Sequence, residues 1–171
     1  MITIINATNR GDNLTRIVGN HYASVLEGLG IPCKQFGLNE LPIGIINQDY
    51  ATPGPELLSL AQEFIIPVPK LVIISPEYNG SIPGILKLFI DSLKPEHFKN
   101  KRAALVGVAS GRAGNLRGLD HLTAILHHLG VEVLSKRAYV SHVHKGVTDG
   151  VLTDPEAIRS MAAQAEKFIA F

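Results

Sequence analysis

Residues 1–15, Met1-Ile2-Thr3-Ile4-Ile5-Asn6-Ala7-Thr8-Asn9-Arg10-Gly11-Asp12-Asn13-Leu14-Thr15, pass from a mostly β-branched apolar run through a polar loop into helical spacing. The run at 2–5 predicts a buried strand. Beyond the loop, Leu14, Ile17, Val18, Tyr22, Val25, Leu26 and Leu29 recur at the intervals of one helix face, so 14–29 predicts an amphipathic helix. The same alternation continues along the chain. Residues 31–36 precede a helix near 55–66, 71–74 precede one at 84–93, and 103–108 precede one at 116–129. A fifth strand, about 131–140, leads to a last helix that begins near Asp154-Pro155-Glu156. Strands alternating with helices of this length build parallel βαβ units.

The strands differ in kind. Those at 2–5, 71–74 and 103–108 are almost uniformly apolar, as strands covered on both faces must be. By contrast 31–36 carries Pro32, Lys34 and Gln35, and 131–140 carries Glu132, Ser135, Lys136 and Arg137, which places both at edges. The order 2-1-3-4-5 satisfies this sorting: an α/β, flavodoxin-like, doubly wound five-stranded parallel sheet with helices on both faces. A classical six-stranded dinucleotide fold would need a further βα unit for which the chain has no room. The one long irregular segment is 38–52, which contains Asn39-Glu40-Leu41-Pro42-Ile43.

The 171 residues are expected to form a single domain, 1–171, burying roughly 70% of the surface of the unfolded chain. Lys and Arg number 16 against 15 Asp and Glu, so no global field favours nucleic acid or an anionic membrane, and any anion needs a local device. A lone Cys33 cannot form an intrachain disulfide and suits a reducing compartment, with the cytoplasm as the expected location. The N-terminus carries no signal h-region, and no apolar run approaches the ~18 residues of a membrane span.

In open parallel sheets ligands bind beyond the carboxyl ends of the strands where the strand order reverses, here between the first and third strands. Three loops meet there. The first, 7–13, offers hydroxyl, amide and guanidinium groups directly before a helix N-terminus, which suits a phosphate. Taken alone it reads equally as an N-cap at Asp12 or Asn13 with Arg10 solvated. The second, Ser75-Pro76-Glu77-Tyr78-Asn79-Gly80-Ser81-Ile82-Pro83, has a backbone fixed by prolines and glycine. Its Asn79-Gly80 pair tolerates positive φ and can turn amides toward a planar heterocycle, while Tyr78 can cover or edge-pack a ring. A plain strand-to-helix turn is the simpler alternative. The third, 109–115, holds Ser110, Gly111 and Gly114, whose small size lets backbone amides approach a ligand, although a Gly-x-x-Gly alone marks a turn at least as well.

The stretch 76–84, PEYNGSIPG, followed by Leu86-Lys87 and Ile90-Asp91, resembles the signature of the NADPH-dependent FMN reductases, and the likeness spans nearly the whole chain. In that family the first loop begins Gly-Ser, has an Arg two residues later and a Ser before the helix. Thr8 and Arg10 match the Ser and Arg positions, whereas Ala7 and Asn13 do not. The resemblance implies FMN as cofactor and NADPH, or NADH, as hydride donor. It assigns the phosphate to Thr8 and Arg10, with Asn13 still able to donate to it and Leu14 and Thr15 as further cofactor-binding residues; it assigns the isoalloxazine to Pro76, Glu77, Tyr78, Asn79 and Gly80, with Ser81 as an additional contact, and the pyrimidine end of the ring to Ser110, Gly111 and Gly114. Arg112 and Arg117 are candidates for the 2′-phosphate. No catalytic side chain is required, because the flavin carries the chemistry and the protein aligns the reactants.

The implied activity is ping-pong hydride transfer from NADPH through FMN to a small acceptor: free flavin, a quinone, an azo compound or chromate. A flavodoxin-type electron carrier and a non-enzymatic flavin sensor share the fold, but such carriers are generally strongly acidic and this chain is balanced. His127-His128 and His142-Val143-His144 lack a Cys, Asp or Glu at ligand spacing, and no metal is expected. Lys87 and Asp91 read as a surface i,i+4 pair. Ile85, Leu86, Leu88, Phe89, Ile90 and Leu93 exceed the single stripe a helix needs to cover a sheet, which predicts a homodimer, or a homotetramer built on it.

Overall fold

β1 (Ile2–Asn6) lies buried along its whole length in the computed structural model, which describes residues 1–171. It pairs in parallel with β2 (Cys33–Gly37) on one side and β3 (Lys70–Pro76) on the other, and β3 pairs with β4 (Arg102–Val108). The order is 2-1-3-4-5, as the polarity of the strands predicts. Alternate residues serve opposite faces. Ile4, Val72, Ile74 and Val106 pack with Val18, Tyr22 and Leu26 of α1 (Leu14–Gly28) and Met161 and Phe168 of α5 (Pro155–Ala170). Ile5, Leu71, Ile73 and Leu105 pack instead with α2 (Pro55–Phe64), α3 (Gly84–Ser92) and α4 (Leu116–His128). Phe36 anchors that second layer, its ring centroid 4.9 Å from Phe64 and 5.8 Å from Phe89.

The fifth strand departs from the expectation of one run over 131–140. It is two pieces, β5 (Glu132–Val133) beside Arg102 and Ala103, and β6 (Ala138–Val140) beside Val106 to Val108. Between them Arg137 turns to α4, where its guanidinium pairs with Asp120 and donates to the Thr123 hydroxyl at 3.0 Å. A polar edge run with little to bury can leave the ladder, but the strand it leaves keeps its carbonyls. Gln164 of α5 supplies the missing donor: its buried amide nitrogen bonds to Leu105 O at 2.9 Å and to Lys136 O at 2.8 Å.

A short hairpin, β7 (Val147–Thr148) with β8 (Val151–Leu152), intervenes before α5 and turns on Asp149-Gly150, both at positive φ. The segment 38–52 contains two 3₁₀ stretches, Leu38–Glu40 and Ile43–Asn47. Glu40 ties it down, accepting from Gly37 N at 2.8 Å and from the Arg16 guanidinium at 3.1 Å. Its Ile45 is buried, while Ile43 and Ile46 stand 101% and 75% exposed.

Candidate active site

At the carboxyl ends of β1, β3 and β4 the three loops enclose an open cleft with a cavity volume of about 240 Å³. The first loop forms one wall. Thr8 is buried beneath it, and its hydroxyl meets the Tyr78 hydroxyl at 2.6 Å, joining the first loop to the second. Thr8 Oγ1 also accepts from Arg10 N at 3.3 Å. Asn13 is the N-cap of α1, accepting from Arg16 N at 2.9 Å while its amide donates to the Arg10 carbonyl. The cap reading and the ligand reading of this loop are therefore compatible, but the Asn13 side chain is already satisfied within the protein.

What the loop leaves free is its anion-binding capacity. The backbone N–H groups of residues 11–15 donate to nothing in the protein, the Thr15 hydroxyl makes no side-chain hydrogen bond, and Arg10 is exposed with no ion pair. These groups sit at the positive end of the α1 dipole. Leu14 presents its half-buried side chain to the same cleft.

Pro76, Glu77 and Tyr78 form the facing wall, fixed to β4 by Glu77 N donating to Val108 O at 2.8 Å. Beyond Tyr78 the chain reverses through Asn79 (φ +52) and Gly80 (φ +77), with Tyr78 N to Ser81 O at 2.9 Å and Ser81 N to Tyr78 O at 3.0 Å. Positive φ at both central residues is what a type I′ turn requires, and Asn-Gly is its preferred pair. α4 supports this turn. The Ser81 hydroxyl lies 2.8 Å from His121 Nδ1, and the Arg117 guanidinium runs alongside Gly80, 3.3 Å from where a Cβ would stand.

Val108, Ala109 and Ser110 close the end of the cleft. The segment after β6 holds this third loop in place: Val143 N donates to Ala109 O at 3.0 Å, His142 N to Gly111 O at 3.0 Å, and the Ser141 hydroxyl to Arg112 O at 2.6 Å. His142 Nδ1 stands 3.2 Å from Ser110 O, so this histidine serves the loop.

Of the residues singled out from sequence, Arg10, Asn13, Leu14, Thr15, Pro76, Glu77, Tyr78 and Ser110 line one cleft. Thr8 lies under it, Asn79, Gly80 and Ser81 form the turn at its edge, and Gly111 stays exposed beside it. Gly114 is turned away: it is buried at φ +57, and a Cβ there would meet Tyr139. Asp12, Val108, Ala109 and Val143 also line the cleft and were not among the residues singled out. Val143 reaches it from the segment after β6, held there by its N–H on Ala109 O, a pairing for which local sequence carries no signal.

The profile of the NADPH-dependent FMN reductases matches residues 1–145. The chain belongs to this family. It is 27% identical over 151 residues to an NADPH azoreductase of Bacillus sp. (strain OY1-2), which covers 88% of this chain and 81% of that protein. It is 39% identical over 121 residues to an NAD(P)H-dependent FMN reductase of Pseudomonas aeruginosa, covering 67% of this chain and 65% of that protein. Among solved structures it resembles the flavoenzyme NAD(P)H:(acceptor) oxidoreductase FerB of Paracoccus denitrificans, with a TM-score of 0.79 at 22% identity over 99% of this chain and 94% of that one. The flavodoxin of Megasphaera elsdenii superposes with a TM-score of 0.61 at 14% identity, covering 97% and 99%. Both likenesses describe the fold.

Family membership supplies a cofactor against which the cleft can be tested. The unpartnered N–H groups, the Thr15 hydroxyl and the free Arg10 cation fit a dianionic phosphate, and the turn-capped wall at 76–81 fits a planar ring. Ala7, which stands where the family has glycine, does not obstruct this. It is fully buried among the α2–α3–α4 side of the core, and its N–H is used by Ile74 O at 2.9 Å.

Proposed function

We propose that residues 1–171 act as one FMN-binding domain that oxidises NADPH and delivers the reducing equivalents to a small acceptor of the quinone or azo class, as a cytoplasmic enzyme. The observation that carries this reading is the convergence of the free anion site on 10–15 and the Pro76–Tyr78 wall, which the Asn79-Gly80 turn ends, on one cleft at the switch point of the sheet. FMN, when bound, supplies a hydride-accepting centre that protein side chains lack. The chain's part is to bind and orient. Arg10 and the N–H groups of 11–15 neutralise the phosphate, the Thr8–Tyr78 hydroxyl pair holds the two walls together, and the backbone about Ser110 and Gly111 offers donors at the third side. The near-balance of 16 basic and 15 acidic residues supports turnover of small molecules over docking to a redox partner through a charged face.

The test is anaerobic mixing of the FMN-loaded protein with NADPH. The yellow absorbance should bleach rapidly and return on adding a quinone, over repeated cycles. Bound FMN that neither NADPH nor NADH bleaches would overturn the reductase reading and leave the fold intact.

The same reading includes a homodimer, with a modified account of its surface. Leu86, Phe89, Ile90 and Leu93 of the α3 region are consumed by the chain's own core, leaving Ile85 and Leu88 half-buried. These two border a groove completed by Leu41, Ile43 and Ile46 of the long segment, with Asn9 of the first loop at its rim. Fully exposed isoleucine beside a cofactor loop fits a second copy of the chain. Light scattering at micromolar concentration should give a dimer, and Ile43→Lys with Ile46→Lys should give a monomer. A monomeric wild type would remove the dimer from the reading.

A further inference from the structure

Asn115 looks like an ordinary helix N-cap residue, preceding α4 with φ +66. Its side chain does not cap the helix. It is fully buried and points the other way, into the end of β3, where its amide nitrogen lies 3.0 Å from Ser75 O, 3.1 Å from Pro76 O and 3.3 Å from Ser75 Oγ. Two of those atoms are carbonyl oxygens, which only accept, so the group facing them must be the amide –NH₂. Its oxygen is left buried without a partner, pressed against Gly118, where a Cβ would occupy the same space. A buried unpaired acceptor is a local cost, set here against the bonds its nitrogen makes to Ser75 O and Pro76 O.

We propose that Asn115 is a positioning residue that fixes the flavin-facing wall at 76–78 to the third loop, so that the width of the cofactor cleft is set by one buried amide. Ser75 and Pro76 are the last residues of β3, and the wall begins at Pro76. Asn115 follows the loop that carries Ser110 and Gly111, so it joins the 76–78 wall to the segment that closes the end of the cleft. Several features adapt the surroundings to this side chain. Asn tolerates the left-handed conformation better than other non-glycine residues. Gly118 leaves room for its oxygen, and Gly107 leaves room for the Gly114 carbonyl that precedes it. A role confined to stability would require only that the loop fold. A positioning role requires that the amide's loss be felt by bound flavin.

This inference rests on the FMN reading above, and two variants separate them. Asn115→Gly keeps the left-handed backbone and removes the amide; Asn115→Asp keeps the shape but sets a carboxylate against two carbonyls. With the apoproteins shown by circular dichroism to be folded, Asn115→Gly should bind FMN about tenfold more weakly, the scale of one lost hydrogen-bonded contact, and shift the visible spectrum of the bound flavin. Asn115→Asp should bind more weakly still at neutral pH. Its dissociation constant relative to wild type should recover as acidification protonates the carboxyl and restores a donor toward Ser75 O and Pro76 O. Wild-type FMN affinity and spectrum in Asn115→Gly, or a pH-independent Asn115→Asp to wild-type ratio, would overturn the positioning role while leaving the FMN reading standing. Failure of the wild type itself to bind FMN would overturn both.

Discussion

Replacing Arg10 by alanine is expected to weaken FMN binding by about 1.5–3 kcal/mol, the range for a hydrogen bond to a charged group, or roughly one to two orders of magnitude in the dissociation constant. Arg10 is exposed and has no acidic partner, so its removal orphans no other charge and disturbs no buried contact. The loss should therefore appear in ligation and leave the melting temperature of the apoprotein unchanged. Riboflavin, which lacks the phosphate, separates this account from a general weakening of the cleft: its affinity should be the same for Arg10→Ala and wild type. Arg10→Lys should recover only part of the FMN affinity, since it restores charge without the guanidinium fork. Equal FMN titration curves for wild type and Arg10→Ala would show that the phosphate is held elsewhere.

Gly107→Ala is expected to be the most damaging single methyl in the sheet, at or above the upper end of the about 1–3 kcal/mol typical of overpacking. Gly107 is the penultimate residue of β4, paired with Ser75 and Tyr139, and a Cβ there would overlap the carbonyl oxygen of Gly114. That oxygen belongs to backbone, and Gly114 is itself wedged against Tyr139, so neither partner can yield locally. The third loop must move as a whole, which predicts lost FMN affinity together with a lower midpoint in chemical denaturation. Gly80→Ala provides the contrast. Its new Cβ would meet only the end of the flexible Arg117 side chain, so the remaining cost is the backbone strain of alanine at φ +77. Denaturation midpoints of the two variants compare a wall that can adjust with one that cannot, and a Gly107→Ala protein as stable as wild type would contradict the packing described.

The elements that were legible in the sequence are those whose physics is local. Uniformly apolar 71–74 and 103–108 had to be central, and Lys34 and Gln35 had to lie at an edge, because burial on two faces leaves no place for polar side chains. Asn79-Gly80 announced a turn with positive φ because few other pairs adopt one. The parts that were not legible depend on partners far along the chain. The polar run Ser135 to Arg137 marks an edge, but nothing in it reveals that the Lys136 carbonyl is met by Gln164 of α5, which also bonds to Leu105 O of β4. Asn115 fits the composition of an ordinary cap, and only the position of Ser75 forty residues earlier shows that its amide is engaged elsewhere. Most of the apolar surplus on α3 goes to the chain's own core, which composition alone does not show, and its half-buried Ile85 and Leu88 border a groove with the exposed Ile43 and Ile46 of 38–52.

The interrupted fifth strand carries a thermodynamic consequence for ligation. Gln164 stitches α5 to Leu105 of β4 and to Lys136 within the break, β6 follows it, and the residues just beyond β6 grip the backbone at Ala109, Gly111 and Arg112. No residue of α5 lines the cleft, yet α5 and the cofactor loop are bound into one cooperative unit, because freeing the helix orphans Leu105 O and Lys136 O and loosens the strand from which the loop hangs. A ligand that binds only the closed form of that unit stabilises all of it. Occupancy of the cleft is therefore expected to raise the melting temperature of the C-terminal helix as well, although that helix begins more than forty positions downstream of residues 109–111.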